Sequence, residues 1–314
     1  ASLDTANALA NALTSRYSLG NVELVDINNM RTKHKKLTFT KMRGTGNDYL
    51  YFDCFDQTVE SPESLAVRLS NRRTGVGSDG IVLIMPSTIA DAKMRMFNAD
   101  GTEGSVAGNA LRCVCKYLYE NGHVRKDEMA VETGSGVKTA KLFIREDQVF
   151  SVLVDMGCPQ FAPAKIPVKL DGDRVMMRPV FLAGEKREIS CVSMGNPHVV
   201  IFVEDVNRIP LEQVGPQIET DSLFPERVNV SFAQIVDKND IVMRVWERGI
   251  GETAACGTGA CAVAVAAVEN GFCTRGADID VRLPGGTLVV RYQEDGKVWL
   301  TGDANTDFTG TIEI

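Results

Sequence analysis

The sequence predicts a mixed α/β fold of the α+β type, with many short strands, few helices and two pseudo-equivalent halves. Three observations lead there: short apolar runs punctuated by glycine, two longer segments with helical stop signals, and an internal repeat at a constant shift of 149 residues. Length agrees, since 314 residues suggest two domains at about 150 residues each.

Residues 1–36 mix Asn, Ala, Ser and Leu with both charge signs and contain no unbroken apolar h-region, so export is not indicated. They read as an N-terminal extension whose basic cluster at 31–36 is a solvated linker. From Leu37 onward, apolar runs at 50–52, 81–85, 93–97, 152–154, 199–203, 228–232, 241–246, 288–291 and 298–300 read as strands. Residues 64–71 read as a short helix. The segments 109–121 and 259–270 read as longer helices, each opened by small residues and closed by Asn-Gly, at Asn121-Gly122 and Asn270-Gly271.

A shift of 149 residues places Gly46-Asn47 on Gly195-Asn196, each pair leading into an apolar strand. It also places Met94-Arg95-Met96-Phe97 on Met243-Arg244-Val245-Trp246, Glu103 on Glu252, Gly108 on Gly257, and one long helix on the other. One ungapped offset that matches strand with strand and helix with helix implies a duplicated architecture. A site is then expected between the halves, with one helix N-terminus from each half facing a common cleft.

Apolar residues at 44% and charged residues at 24% match a globular chain and exclude disorder, collagen and coiled coil. A net charge of −7 supplies no basic footprint, so no nucleic-acid partner is expected. No apolar run approaches the length that spans a bilayer, so a soluble protein without a membrane partner is expected. Eight cysteines without CxxC spacing point to reduced thiols in the cytoplasm. With only His34, His123 and His198, and no HExxH pattern, no metal site is expected.

The segment Ala255-Cys256-Gly257-Thr258-Gly259 opens the second long helix. Its glycines leave backbone N–H groups free for an anion such as a carboxylate. The helix dipole there is expected to lower the thiol pKa, which makes Cys256 a candidate base or nucleophile. Cys113, Cys115, Cys261 and Cys273 lie within or after helices and read as core. The repeat partner of Cys256 is Ala107, where glycine and helix start are kept without the thiol.

From about Leu37 to the C-terminus the chain resembles the diaminopimelate epimerase family. The motifs are Lys41-Met42-Arg43-Gly44-Thr45-Gly46-Asn47-Asp48-Tyr49, the segment 97–113, Met194-Gly195-Asn196-Pro197-His198, Arg227-Val228-Asn229-Val230, and Trp246-Glu247-Arg248-Gly249 leading into Ala255-Cys256-Gly257-Thr258-Gly259. The family carries a cysteine where this chain has Ala107. The resemblance implies two domains, each a mostly antiparallel sheet around a central helix, with the last strand returning to the first. That places an N-terminal domain at 37–150 plus 302–314, a C-terminal domain at 151–301, and commonly a homodimer.

The resemblance also implies a cofactor-independent isomerase that interconverts LL- and meso-diaminopimelate, a step toward lysine and peptidoglycan precursors. Without an electron sink, the α-carbanion must be stabilised by hydrogen bonds to its carboxylate. Gly108 and Asn109 from one helix and Gly257 and Thr258 from the other would supply them. Inversion needs one group to take a proton and another to return it on the opposite face. By resemblance these are Cys256, assisted by Glu247, and position 107, assisted by His198. Asn98, Asn196, Asn229 and Arg248 match positions that hold the distal end of the substrate, and Asn47 one near the reacting amine. With Ala107, the chain is expected to be an inactive or impaired form. A racemase of another amino acid and a non-catalytic amino-acid-binding homologue are the alternatives. Asn109 in place of histidine weighs against a proline-type racemase, and retention of Cys256, Glu247 and His198 weighs against a mere binder.

Gly75-Val76-Gly77-Ser78-Asp79-Gly80 has GxGxxG spacing, but it follows a helix and precedes a strand, the reverse of a dinucleotide-binding turn. NAD binding is rejected on that ground, and Gly80, where the family often has Gln, is given no contact.

Overall fold

The computed structural model describes residues 36–104 and 108–313. Ala107 and all of the expected extension except Lys36 lie outside the described residues. Thr38–Thr311 form one compact unit. The fold is α+β, with 18 strands joined by hydrogen bonds into one sheet and four α-helices among the described residues: α1 (Pro62–Ser70), α2 (Gly108–Glu120), α3 (Leu211–Glu219) and α4 (Gly257–Glu269).

The repeat extends to almost every element. Strands Lys36–Gly44, Asn47–Asp53, Gly80–Met85 and Ala92–Asn98 recur, 149 residues on, as Glu185–Ser193, Pro197–Phe202, Asn229–Asp237 and Asp240–Glu247. Helices α1 and α2 recur as α3 and α4 with no change in length. Pairing is duplicated as well: Tyr49 stands opposite Gly80 in a parallel pair, and His198 stands opposite Asn229 in its counterpart. Each half has two parallel pairs in an otherwise mostly antiparallel sheet. The halves join where Gln148–Asp155 runs antiparallel to Val298–Gly302, with Val154 opposite Leu300. The last strand, Asn305–Glu313, pairs with Lys36–Gly44.

Each half wraps its sheet around one helix. α4 is buried almost all round, from Gly259 to Ala267, as a helix apolar on every face must be. Its alanines let the strands approach closely. α2 is buried from Asn109 to Cys115, although it carries Arg112, which is fully buried. That guanidinium is held by the carbonyl of Asp303 at 3.0 Å and the Thr45 hydroxyl at 2.8 Å. Gly302 permits it, because a Cβ there would lie 2.7 Å from Arg112 Cζ. Cys113, Cys115, Cys261 and Cys273 are all buried.

Helix α3 has no counterpart in the expectations drawn from the sequence, because Gly215 and Pro216 interrupt its pattern. Both have local reasons. A Cβ on Gly215 would lie 2.7 Å from two Trp246 carbons, so the indole packs directly on the helix backbone. The buried carboxylate of Glu219 then accepts from Trp246 Nε1 at 2.7 Å and from the Gly249 amide at 2.9 Å, which anchors the turn carrying Glu247 and Arg248.

Alanine in place of glycine inside a helix ordinarily gains about 0.5–1 kcal/mol. At position 215 the clash with Trp246 outweighs that gain. Gly215→Ala is expected to destabilise the fold by about 1–3 kcal/mol and to blue-shift or broaden Trp246 emission, measured by urea titration followed by fluorescence.

Candidate active site

Helices α2 and α4 both start beside Leu300 of the strand pair that joins the halves, and residues of both N-termini line one cavity of about 870 Å³. Close approach favours glycine at the start of α4, while the start of α2 has room for ordinary contact. A Cβ on Gly257 would lie 3.2 Å from Leu300 and 3.7 Å from Asn109 Oδ1, and one on Gly108 would lie 3.7 Å from the same leucine. The first-turn N–H groups of each helix have no intrahelical acceptor and sit at the positive end of the dipole. Two such ends facing one cavity form a carboxylate-sized anion site.

Cys256 is the N-cap of α4, extended at φ −139°. Its Sγ accepts from the Gly259 amide at 3.4 Å and lies 3.6 Å from Thr258 Oγ1. The helix dipole alone would lower this thiol, as the sequence suggests. Burial, followed by the nearby Glu247 carboxylate, overrides that effect and pushes it well up, while the Thr258 and Gly259 contacts pull it partly back. Burial also raises Glu247, whose Oε1 accepts from Thr253 Oγ1 at 2.5 Å. A thiol that holds its proton more tightly than usual therefore lies near a carboxyl group whose affinity for protons is also enhanced.

The repeat places matching amides at the two helix starts. Asn47 accepts from Asn109 Nδ2 at 2.6 Å. Its counterpart Asn196 donates to Thr258 Oγ1 at 3.3 Å and stands 3.0 Å from His198 Nε2. Asn98, at the repeat position of Glu247, donates to Thr102 Oγ1 at 3.0 Å.

Asn47, Asn98, Gly108, Asn109, Asn196, Glu247, Cys256, Gly257 and Thr258 all line the cavity. His198 and Asn229, both buried, and Arg248, which is exposed, are not among the residues that line it. Asn229 accepts from the Arg248 amide at 2.9 Å and donates to the Pro197 carbonyl at 2.8 Å, while the Arg248 guanidinium reaches the Glu226 carbonyl at 3.1 Å. Sequence reasoning passed over Tyr49, Arg72, Ser78, Asp79, Lys138 and Met156, which also line the cavity. Two of these belong to the GxGxxG segment. Its glycines answer to backbone packing: a Cβ on Gly75 would lie 2.4 Å from the Arg68 carbonyl oxygen, and one on Gly80 would lie 2.1 Å from that of Phe97. A signal was present in the motif, hidden by its likeness to a phosphate loop.

The family model for diaminopimelate epimerase matches residues 39–162 and 190–306. Diaminopimelate epimerases from Desulfovibrio desulfuricans and Acetivibrio thermocellus are 50% and 48% identical to the chain, each over 88% of it and 99% of the relative. Among solved structures, a phenazine biosynthesis protein of the PhzF family from Bacillus anthracis covers 89% of the chain and 100% of its own, at TM-score 0.66 and 18% identity. A probable proline racemase from Agrobacterium radiobacter covers 88% and 92% respectively, at TM-score 0.59 and 16% identity. These two share the fold. The family model and the epimerase relatives show an enzyme of the isomerase class. The chain belongs to the diaminopimelate epimerase family.

His198 is fully buried. Burial, and then the charge of Arg248, push it down to about 3. An unfolded histidine titrates near 6.5, so between these values the unfolded chain binds the extra proton and stability falls as pH drops. The slope reaches about 1.4 kcal/mol per pH unit. Between about pH 7 and about pH 5 the parent is expected to lose roughly 2 kcal/mol more than His198→Gln, measured by chemical denaturation at each pH.

Proposed function

We propose that the chain interconverts LL- and meso-diaminopimelate without pyridoxal phosphate. Two helix N-termini hold the α-carboxylate, and Cys256 works with Glu247 on one face of the α-carbon. The observation that carries this reading is the Cys256–Glu247 pair at the start of α4, facing the start of α2 across a single cavity. Proton removal from an amino-acid α-carbon needs anion stabilisation at the carboxylate and a base within reach. The helix starts supply the first. The thiol supplies the second once Glu247 takes its proton. Asn98, Asn196, Asn229 and Arg248 recognise the distal zwitterion, with amides and one guanidinium matching its charges without a large net field. Position 107 serves the opposite face with His198 as its assistant, and alanine there removes the second acid. Domains at 37–150 with 302–314 and at 151–301, a homodimeric assembly and a cytoplasmic setting complete the proposal.

Removing one partner of an acid–base pair costs about 10²–10⁴-fold. In D₂O, the protein is expected to exchange the α-proton of one isomer only and to epimerise very slowly. Ala107→Cys is expected to raise epimerisation by about 10²-fold or more, followed by NMR with LL- and meso-diaminopimelate supplied separately. Ordinary turnover by the parent, or no gain in the variant, would overturn the two-base reading.

A further inference from the structure

Asp79 lines the cavity, and no step of the proposed reaction uses it. One of its oxygens accepts from Arg72 Nη2 at 2.9 Å. The other accepts from Asn47 Nδ2 at 3.1 Å and from the Asp48 amide at 3.2 Å. Arg72 is itself gripped by both oxygens of Asp48, at 2.6 and 3.2 Å.

A carboxylate paired with arginine offers no donor. Asn47 must therefore turn its amide nitrogen toward Asp79 and its oxygen the other way, where that oxygen accepts from Asn109 Nδ2 at 2.6 Å. The same constraint passes one residue further. With its nitrogen spent on Asn47, Asn109 turns its own oxygen toward the start of α4, 3.7 Å from where Gly257 would carry a Cβ. That oxygen is buried and has no hydrogen-bond partner among the described residues, on a residue only 4% exposed. A buried acceptor left open at the cavity calls for a donor from a ligand.

The second half has no such device. Asn196 meets a histidine nitrogen and a hydroxyl, each able to donate or accept, and the repeat position of Asp79 is Val228. The duplicated amides are therefore set by a charge on one side of the cavity and by a tautomer on the other.

We propose that Asp79 is a positioning residue that fixes the polarity of the Asn47–Asn109 pair, so that the open amide oxygen of Asn109 is presented to the reacting ammonium group of an amino-acid substrate. The proposal rests on the substrate reading given above. Arg72 holds Asp79 in place from the rim.

The test is titration calorimetry with meso-diaminopimelate. Asp79→Asn keeps the shape of the side chain but can turn its amide group toward Asn47, letting both amides of the pair reverse. It is expected to weaken binding about tenfold or more with little change in thermal midpoint. Combining Asp79→Asn with Asn47→Asp restores an acceptor opposite Asn109, and binding is expected to return to within about threefold of the parent. A purely structural role predicts no such rescue. Parental affinity in Asp79→Asn, or a double variant no better than the single, overturns the proposal. Where the single variant is too unstable to titrate, the double variant decides alone: parental affinity supports the proposal and loss of binding overturns it. A parent that binds no diaminopimelate overturns the substrate reading and this proposal together, a result distinct from binding that Asp79→Asn leaves unchanged.

Discussion

Two helix N-termini, each carrying about half a positive charge, are held facing one cavity, and most of the fold serves to keep them there. Like charges repel, so neither helix would adopt this position unaided. The restraint comes from the sheets, which bury α4 on nearly every side and α2 over most of its length. It also comes from the strand pair between the halves, where Leu300 lies under both helix starts. Glycine at 257 allows the approach, since a side chain there would crowd Leu300. The repulsion is relieved when an anion enters. The strain of the arrangement and its affinity for a carboxylate are thus the same property.

A duplicated fold supplies the two ends, but proton chemistry needs them to differ. The repeat positions diverge where the reaction would take place. Glu247 answers to Asn98, His198 to Tyr49, and Cys256 to Ala107. Burial acts on both sides with different results. It raises Glu247 and the Cys256 thiol, favouring their protonated forms, and lowers His198, keeping the imidazole neutral. It also raises Tyr49, reinforced by the carboxylates of Asp79 and Glu247, so the phenol stays protonated. The thiol, the imidazole and the phenol are thereby favoured uncharged in the low-dielectric interior, where a buried charge without a partner costs several kcal/mol, while Glu247 holds a proton more readily than an ordinary carboxylate. The charge that a reaction needs then arrives with the ligand.

The legible part of the fold was the part with strong local pattern. Strands buried on both faces, such as Gly80–Met85 and Pro197–Phe202, stand out as apolar runs. Strands with one face in solvent do not: Glu128–Thr133 and Asp278–Leu283 alternate buried and less buried residues and were passed over. Helix α3 was hidden by Gly215 and Pro216, although the shift of 149 residues lays it on α1 without a gap. Trusting the repeat over local propensity would have found it. In the site, residues at helix starts were readable because glycine and cysteine there have few other uses. Asp79 and Arg72 were not, because their role depends on a partner distant in sequence, Asn47, and their motif imitated another.

The direction of the Cys256 shift is where local and tertiary reasoning part most clearly. From sequence, a cysteine at a helix start reads as a candidate thiolate, because the helix dipole favours the charged form. In the fold, the same residue is 5% exposed and shares its surroundings with a carboxylate, and those two effects exceed the dipole. A thiolate that existed before substrate arrived would sit buried beside the Glu247 carboxylate. A thiol that gives its proton to Glu247 only when a substrate carboxylate and ammonium are in place avoids that cost. On the proposed reading, activation by the ligand follows from burial, and the raised thiol pKa fits that chemistry.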